Sequence, residues 1–141
     1  MEISVYPHPQ KSKMLLENYG LPTSDLDIKK FENFLCLGTA DNPLGIIGIE
    51  IFDSVALLRS LAVSETARGK GHGKALVSAM ENFAKSKHVR ELYLLTETAE
   101  TFFKKLNYFS IKREFAPESI LNSSEYSSVC KQSAVLMTKK L

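Results

Sequence analysis

Cysteine is scarce in this chain of 141 residues, and long apolar runs are missing. Cys36 and Cys130 stand far apart, with no Cys-x-x-Cys between them. His8, His72 and His88 add no ligand spacing, so no metal set is visible. Such cysteines read first as small buried hydrophobes in a reducing compartment; Cys130, among polar residues, is the better candidate for a substrate-lining thiol. No apolar run approaches the ~20 residues of a membrane span. The opening MEISVYPHPQ lacks the basic-then-apolar pattern of a secretory signal. The expected location is cytoplasmic. Charge of one sign is also missing: the formal net charge is +2, which argues against a general nucleic-acid binder. There is no repeat, low-complexity tract or linker. What remains is an ordinary composition, 44% hydrophobic and 24% charged, at a length that suits one domain spanning 1–141.

The periodicity predicts a mixed α/β order with helices between the strands of one sheet. MEISVY alternates as a first strand, and PQKSKMLLENYG reads as a helix stopped by Gly20. LPTSDLDIKKF offers Thr23 or Ser24 as the N-cap of a second short helix. NFLCLGTADNPLGIIGIEIF predicts a hairpin turning at Asp41-Asn42-Pro43. SVALLRSLAV is a near-continuous apolar run, hence a central strand buried on both faces. GKALVSAMENFAKSKH is helical, with Ala75, Leu76, Ala79, Met80 and Phe83 on its apolar face. RELYLLTE is a strand, and AETFFKKLNY a short helix with Asn107 at its left-handed end. FSIKRE and SAVLMTKKL complete the strands; the segment 116–133 is irregular, with room for one helical turn, and has the character of a flap.

SETARGKGHGKAL, residues 64–76, carries the chemistry. Its glycines let the backbone come close to a ligand, and the N–H groups that follow open a helix, a natural place for an anion. A triphosphate-binding loop needs a hydroxyl after Gly-Lys, and here Ala75 follows Gly73-Lys74. A dinucleotide fingerprint needs Gly-x-Gly-x-x-Gly early in a βαβ unit; the glycines here are spaced differently and lie mid-chain.

Arg68-Gly69-Lys70-Gly71-His72-Gly73, between a strand and a helix, resembles the (Arg/Gln)-x-x-Gly-x-(Gly/Ala) motif of the GCN5-related N-acetyltransferase superfamily. ETAETFFKKLNYFSI resembles that family's downstream Ala-x-x-x-Tyr-x-x-x-Gly-Phe segment. The resemblance implies an α/β fold with a mixed, mostly antiparallel sheet, splayed between its fourth and fifth strands and flanked by helices on both faces. It implies acetyl-CoA as co-substrate, its pyrophosphate held by residues 68–74, with His72 either touching phosphate or opening the helix. Main-chain groups of Leu61, Ala62 and Val63 would bind the pantetheine arm, and the Val63 N–H would polarise the thioester carbonyl. Thr96 stands where many members have a CoA-binding asparagine. Three stretches, GIEIFDSVALLRSLAVS, ELYLLTETAETFFKKLNY and SSVCKQSAVLMTKKL, resemble a small subgroup from bacterial arsenic-resistance gene clusters. Members of the superfamily are often homodimers, and no segment here fixes the oligomeric state.

The chain departs from the family at two places. Some members carry a glutamate base where Leu57 stands, and the tyrosine that protonates the leaving thiolate is replaced by Phe103. Tyr93 and Tyr108 are near in sequence without matching the motif. An alkyl amine, with a pKa of about 10.4, is mostly protonated at pH 7, so a base is needed. Glu50, in an otherwise apolar strand, and Glu97, at a strand end facing the splay, are the candidates; a charge on an open sheet face or at a helix start would serve each as well. Arg59 lies mid-strand, where a guanidinium needs a partner. Period-two alternation puts Leu57, Arg59, Leu61 and Val63 on one face, making Arg59 either a clamp on an acceptor's anionic group or an ion-pair partner of Glu50. The expected activity is acetyl transfer from acetyl-CoA to a small-molecule amine, with an anionic amino-acid analogue as the sharpest choice. Two rivals stay open: acetylation of a protein or peptide amine, and a non-catalytic acyl-CoA sensor, which the Leu57 and Phe103 departures favour.

Overall fold

A computed structural model describes residues 2–123 and 133–141. One seven-stranded sheet runs in the order β1-β2-β3-β4-β5-β7-β6. Its strands are β1 (Ile3–Val5), β2 (Phe34–Thr39), β3 (Asn42–Phe52), β4 (Val55–Val63), β5 (Glu91–Thr96), β6 (Phe109–Ser110) and β7 (Val135–Lys140). Every neighbouring pair is antiparallel except β4 and β5. A parallel pair needs a crossover, and α2 (His72–Ser86) is the helix within it. The other helices are α1 (Pro9–Asn18), α3 (Glu100–Lys105) and α4 (Glu118–Leu121).

Helices cover both faces. Leu76, Val77, Met80 and Ala84 of α2 pack on Leu35, Ile47, Leu58 and Leu94. On the opposite face Leu16 of α1 joins Leu26, Phe31, Phe34, Ile46 and Ala62, and Ile120 of α4 joins Leu57, Tyr93 and Leu136. Among the described residues no helix is long and apolar enough to cross a membrane. Cys36 is buried in β2, and that burial pushes its thiol pKa up; Cys130 lies outside the described residues.

Several boundaries differ from the sequence expectation. The β2–β3 turn is Ala40-Asp41, closed by Thr39 opposite Asn42, and Pro43 sits within β3 opposite Gly38 at a register shift. Neither Thr23 nor Ser24 caps a helix: Asp27 accepts the Lys30 N–H at 3.0 Å and opens a 3-10 turn over Ile28–Asn33. FSIKRE forms a strand only at Phe109–Ser110, before a 3-10 turn at Arg113–Phe115. Asn107 does take the left-handed conformation (φ 73°) after α3.

The largest departure is in β4. Gly48 pairs with Arg59 and Ile46 with Ala62, so β4 has one residue more than β3 across this interval. Ser60 absorbs it in a left-handed conformation (φ 59°), which makes a β-bulge. Alternation therefore fails. Leu61 and Val63 pack with Leu58 on the α2 face, while Leu57 lies in the α4-side cluster on the other face. The prediction that Leu57, Arg59, Leu61 and Val63 share a face is corrected by this one inserted residue.

Gly48 is where the sheet admits the Phe34 ring. A Cβ there would come within 2.3 Å of that fully buried ring. Gly48→Ala should lower the unfolding free energy by about 1–3 kcal/mol, seen as a lower urea midpoint with an unchanged slope. An unshifted midpoint would show that Phe34 repacks freely.

Candidate active site

The parallel pairing of β4 with β5 runs from Val55–Glu91 to Leu58–Leu94 and stops. Beyond it β4 stays with β3 as far as Val63, and β5 stays with β7 as far as Thr96. The strands part there around a cavity of about 340 Å³, whose walls include Tyr19, Arg59, Leu61, Thr96, Glu97 and Phe103. Ala62 and Val63 are outside its lining.

The glycine loop follows the end of β4. Ser64 and a 3-10 turn at Glu65–Ala67 lead to Arg68, with Ala67 buried as an anchor. Gly69 and Gly71 take φ of 78° and 77°, the left-handed region, and a Cβ on either would meet open space. Backbone conformation, rather than crowding, therefore selects glycine at both positions. Gly73 has no such φ; a Cβ there would rest 3.5 Å from the Phe102 ring. The Ala75 N–H to Gly71 carbonyl bond opens the α2 ladder. Among the described residues no backbone carbonyl takes the N–H groups of residues 69–74, the donors that a helix start leaves without partners. Lys70 and Lys74 are exposed beside them, and His72 is the first residue of the helix.

Arg68 points elsewhere. Its Nε donates to the Val63 carbonyl at 2.9 Å, and its guanidinium lies 4.4 Å from the Tyr19 ring centroid.

Arg59 has a buried side chain at the cavity wall, and its donors are committed. Nη1 donates to Asp25 Oδ2 and, at 2.7 Å, to Glu50 Oε1. Nη2 donates to Asp25 Oδ1 at 2.9 Å and, more weakly, to the Pro22 carbonyl at 3.4 Å. Nε donates to Ser60 Oγ at 3.0 Å. A guanidinium has five N–H donors, and all five have acceptors within the protein. Lys30 approaches Asp25 at 3.3 Å and Glu50 at 3.7 Å, closing a network of two cations and two carboxylates. The ion pair with Glu50 is the arrangement present, and a clamp on an acceptor would have to displace Asp25 or Glu50. Asp25 and Lys30 were not legible as site residues; Asp25 is 34 positions from Arg59 and no spacing links them.

The two candidate bases separate. Glu50 lies opposite Leu57 in the ladder and inside the ionic network. Glu97 lines the cavity and accepts from Ser133 Oγ at 2.9 Å. Thr96 also lines it, its hydroxyl accepting the Ala99 N–H at 2.9 Å and fixing the turn into α3. Phe103 is buried, edge-on to Phe102 and Tyr108. Tyr108 donates to Glu81 at 2.8 Å; burial first, then Glu81, pushes its pKa well up. Burial and Glu91 raise that of Tyr93. Neither phenol lines the cavity. Tyr19 does, and sequence reading missed it. Among the described residues no group of His, Cys, Asp and Glu is placed to hold a metal.

A family model described as the acetyltransferase (GNAT) family matches residues 3–108. The chain belongs to that family. An uncharacterised N-acetyltransferase of Chlorobaculum tepidum is 32% identical over 94 residues, which cover 66% of this chain and 60% of the relative. The chain therefore spans less than two thirds of that relative's length. N-acetylglutamate synthase from Neisseria gonorrhoeae, complexed with coenzyme A and N-acetyl-glutamate, superposes with a TM-score of 0.81 at 17% identity, over 100% of this chain and 35% of its own. A Mycobacterium tuberculosis protein in complex with CoA gives 0.80 at 14% identity, over 100% and 99%. At these identities the structures show that the GNAT fold is shared.

Arg59→Met removes the buried guanidinium from two half-buried carboxylates. It should destabilise the protein by about 3–5 kcal/mol, and adding Asp25→Asn and Glu50→Gln should restore part of the loss. Thermal unfolding unchanged by Arg59→Met would show that water takes over the network.

Proposed function

We propose that the protein is an acetyl-CoA-dependent N-acetyltransferase acting on the amine of a small molecule. The observation that carries this reading is that one strand leads to two features: a cavity where β4 and β5 part, and an anion cradle in the loop that follows the end of β4. The cradle fits a pyrophosphate. Its N–H groups precede a helix, its two left-handed glycines leave the approach open, and Lys70 and Lys74 add positive charge. Acetyl-CoA supplies an activated acyl group on a thiol of pKa about 8.5, a tolerable leaving group without a dedicated acid. Leu61, Ala62 and Val63 would offer main-chain groups to the pantetheine arm, with the Val63 N–H directed at the thioester carbonyl. Glu97 would take the amine's proton inside the cavity, directly or through water. Thr96 and Phe103 would shape the floor under the acyl group, and His72 would present its N–H at the helix start.

The moderate size of the cavity supports a small acceptor. A second reading, an anionic amino-acid analogue of arsenic or phosphinate type, is favoured by Arg59 in the cavity wall and by the glutamate product in the synthase that shares the fold. In that reading the acceptor's anion displaces Asp25 or Glu50 from the guanidinium.

Thiol release from acetyl-CoA should be measured across amino acids, phosphinate and arsinate analogues, polyamines and aminoglycosides, beside a CoA titration. Turnover on small amines supports the proposal, and turnover confined to anionic analogues supports the second reading. Tight CoA binding with no turnover on any of them would favour a protein acceptor or a sensor. Glu97→Gln should cut turnover about 10²–10⁴-fold with CoA affinity intact, and an unchanged rate removes Glu97 as the base. Gly71→Val forces a branched residue into the left-handed region and should abolish CoA binding. Retained affinity would sink the cradle.

A further inference from the structure

Arg68 occupies the arginine position of the glycine motif, yet its side chain is engaged away from the loop's N–H groups. Its Nε holds the Val63 carbonyl at 2.9 Å while its guanidinium covers the Tyr19 ring at 4.4 Å. The Tyr19 hydroxyl accepts the Glu65 N–H at 3.0 Å. Tyr19 is also the C-cap of α1. There the helix closes with Gly20 N–H on the Glu17 carbonyl at 3.1 Å and Leu21 N–H on the Leu16 carbonyl at 3.0 Å, with Gly20 at φ 69°. This is a Schellman closure, and it fixes the direction in which the chain leaves the helix. Residues 19–22, which leave it, form one wall of the cavity.

One aromatic ring and one guanidinium thus tie three parts together: the cavity wall, the end of β4 and the start of the glycine loop. We propose that Tyr19 and Arg68 form a positioning strut that keeps the wall at 19–22 and the end of β4 in register with the cofactor loop, so that Arg68 acts through Tyr19 and Val63 and is not a phosphate ligand. The inference rests on the acetyl-CoA reading above for what passes between these parts. The strut leaves the cradle complete, since the N–H groups and the two lysines supply its positive charge without Arg68. Turning Arg68 toward the loop would break its bond to Val63 and uncover the Tyr19 ring. A cation over an aromatic face with a directed N–H bond at one end is a specific pairing, and lysine cannot reproduce its planar geometry.

Arg68→Met and Tyr19→Leu, singly and together, test the strut, with Tyr19→Phe keeping the ring and losing the hydroxyl. The first readout needs no ligand. Exchange of the Glu65 amide should rise about two- to fivefold in Arg68→Met, from loss of the cation–π contact, and at least as much in Tyr19→Phe, which removes its acceptor. Glu65 exchange unchanged in Arg68→Met overturns the proposal, with Tyr19→Phe as the control that the amide reports the loss of its acceptor. The second readout compares CoA with S-acetyl-pantetheine, which keeps the thioester arm and has no phosphate. A strut requires Arg68→Met to weaken both by the same factor, while Lys70→Met weakens CoA alone. It also requires the losses of Arg68→Met and Tyr19→Leu to fall short of additive in the double variant. Weakening of CoA alone by Arg68→Met identifies a phosphate ligand and overturns the strut, as do fully additive losses. If the wild-type protein binds neither compound, the acetyl-CoA reading fails, and Glu65 exchange alone decides the strut.

Discussion

The inserted residue in β4 governs the site. Ser60 takes a left-handed backbone between the pairs Gly48–Arg59 and Ile46–Ala62, and the sides of the strand exchange across it. Arg59 therefore stays turned toward the loop after α1, while Leu61 and Val63 turn toward α2. The ladder with β5 ends at Leu58, two residues before the bulge, so the strands separate where β4 changes its sidedness. A left-handed serine is disfavoured by its Cβ. The pairing of β3 and β4 on both sides of it holds it there.

Two charge systems of opposite design flank the cleft. Below, Arg59, Lys30, Asp25 and Glu50 are largely withdrawn from water and balance one another. Burying charge is tolerable only with such mutual satisfaction. Above, Lys70 and Lys74 lie in solvent beside unclaimed N–H groups. The first system fixes the loop that walls the cavity, through Asp25 and the Pro22 carbonyl. The second remains open to an incoming anion.

What could be read from the sequence was what the chain settles locally. The glycine loop, the long α2 helix and the stop at Gly20 each depend on a few neighbouring residues, and each is present. The succession of strands along the chain followed from apolar runs, and the splay from the family resemblance; the place of β7 between β5 and β6 came only with the structure. The bulge left no local sign, because Ser60 is an unremarkable residue between Arg59 and Leu61; strict alternation then set Leu61 and Val63 on the wrong face. Asp25 was invisible for another reason: its partner is brought to it only by the sheet. Tyr19 was passed over because a tyrosine before a helix-ending glycine reads as ordinary amphipathic surface. Asp27 displaced Thr23 and Ser24 as a cap because the helix starts later, at Ile28.

The full engagement of Arg59 also bears on how the family fold can diversify along this branch. A guanidinium with a spare edge is one substitution away from gripping a new group. Here every edge is taken, and losing Asp25 or Glu50 alone leaves buried N–H donors of Arg59 without an acceptor before any new contact forms. Leu21 has no such obligation: its side chain packs at the margin of the α1 cluster, and changing it leaves the ionic network whole. Acceptor preference in descendants of this chain should therefore drift through the cavity wall, with the charged strand beneath it as the slowly changing part.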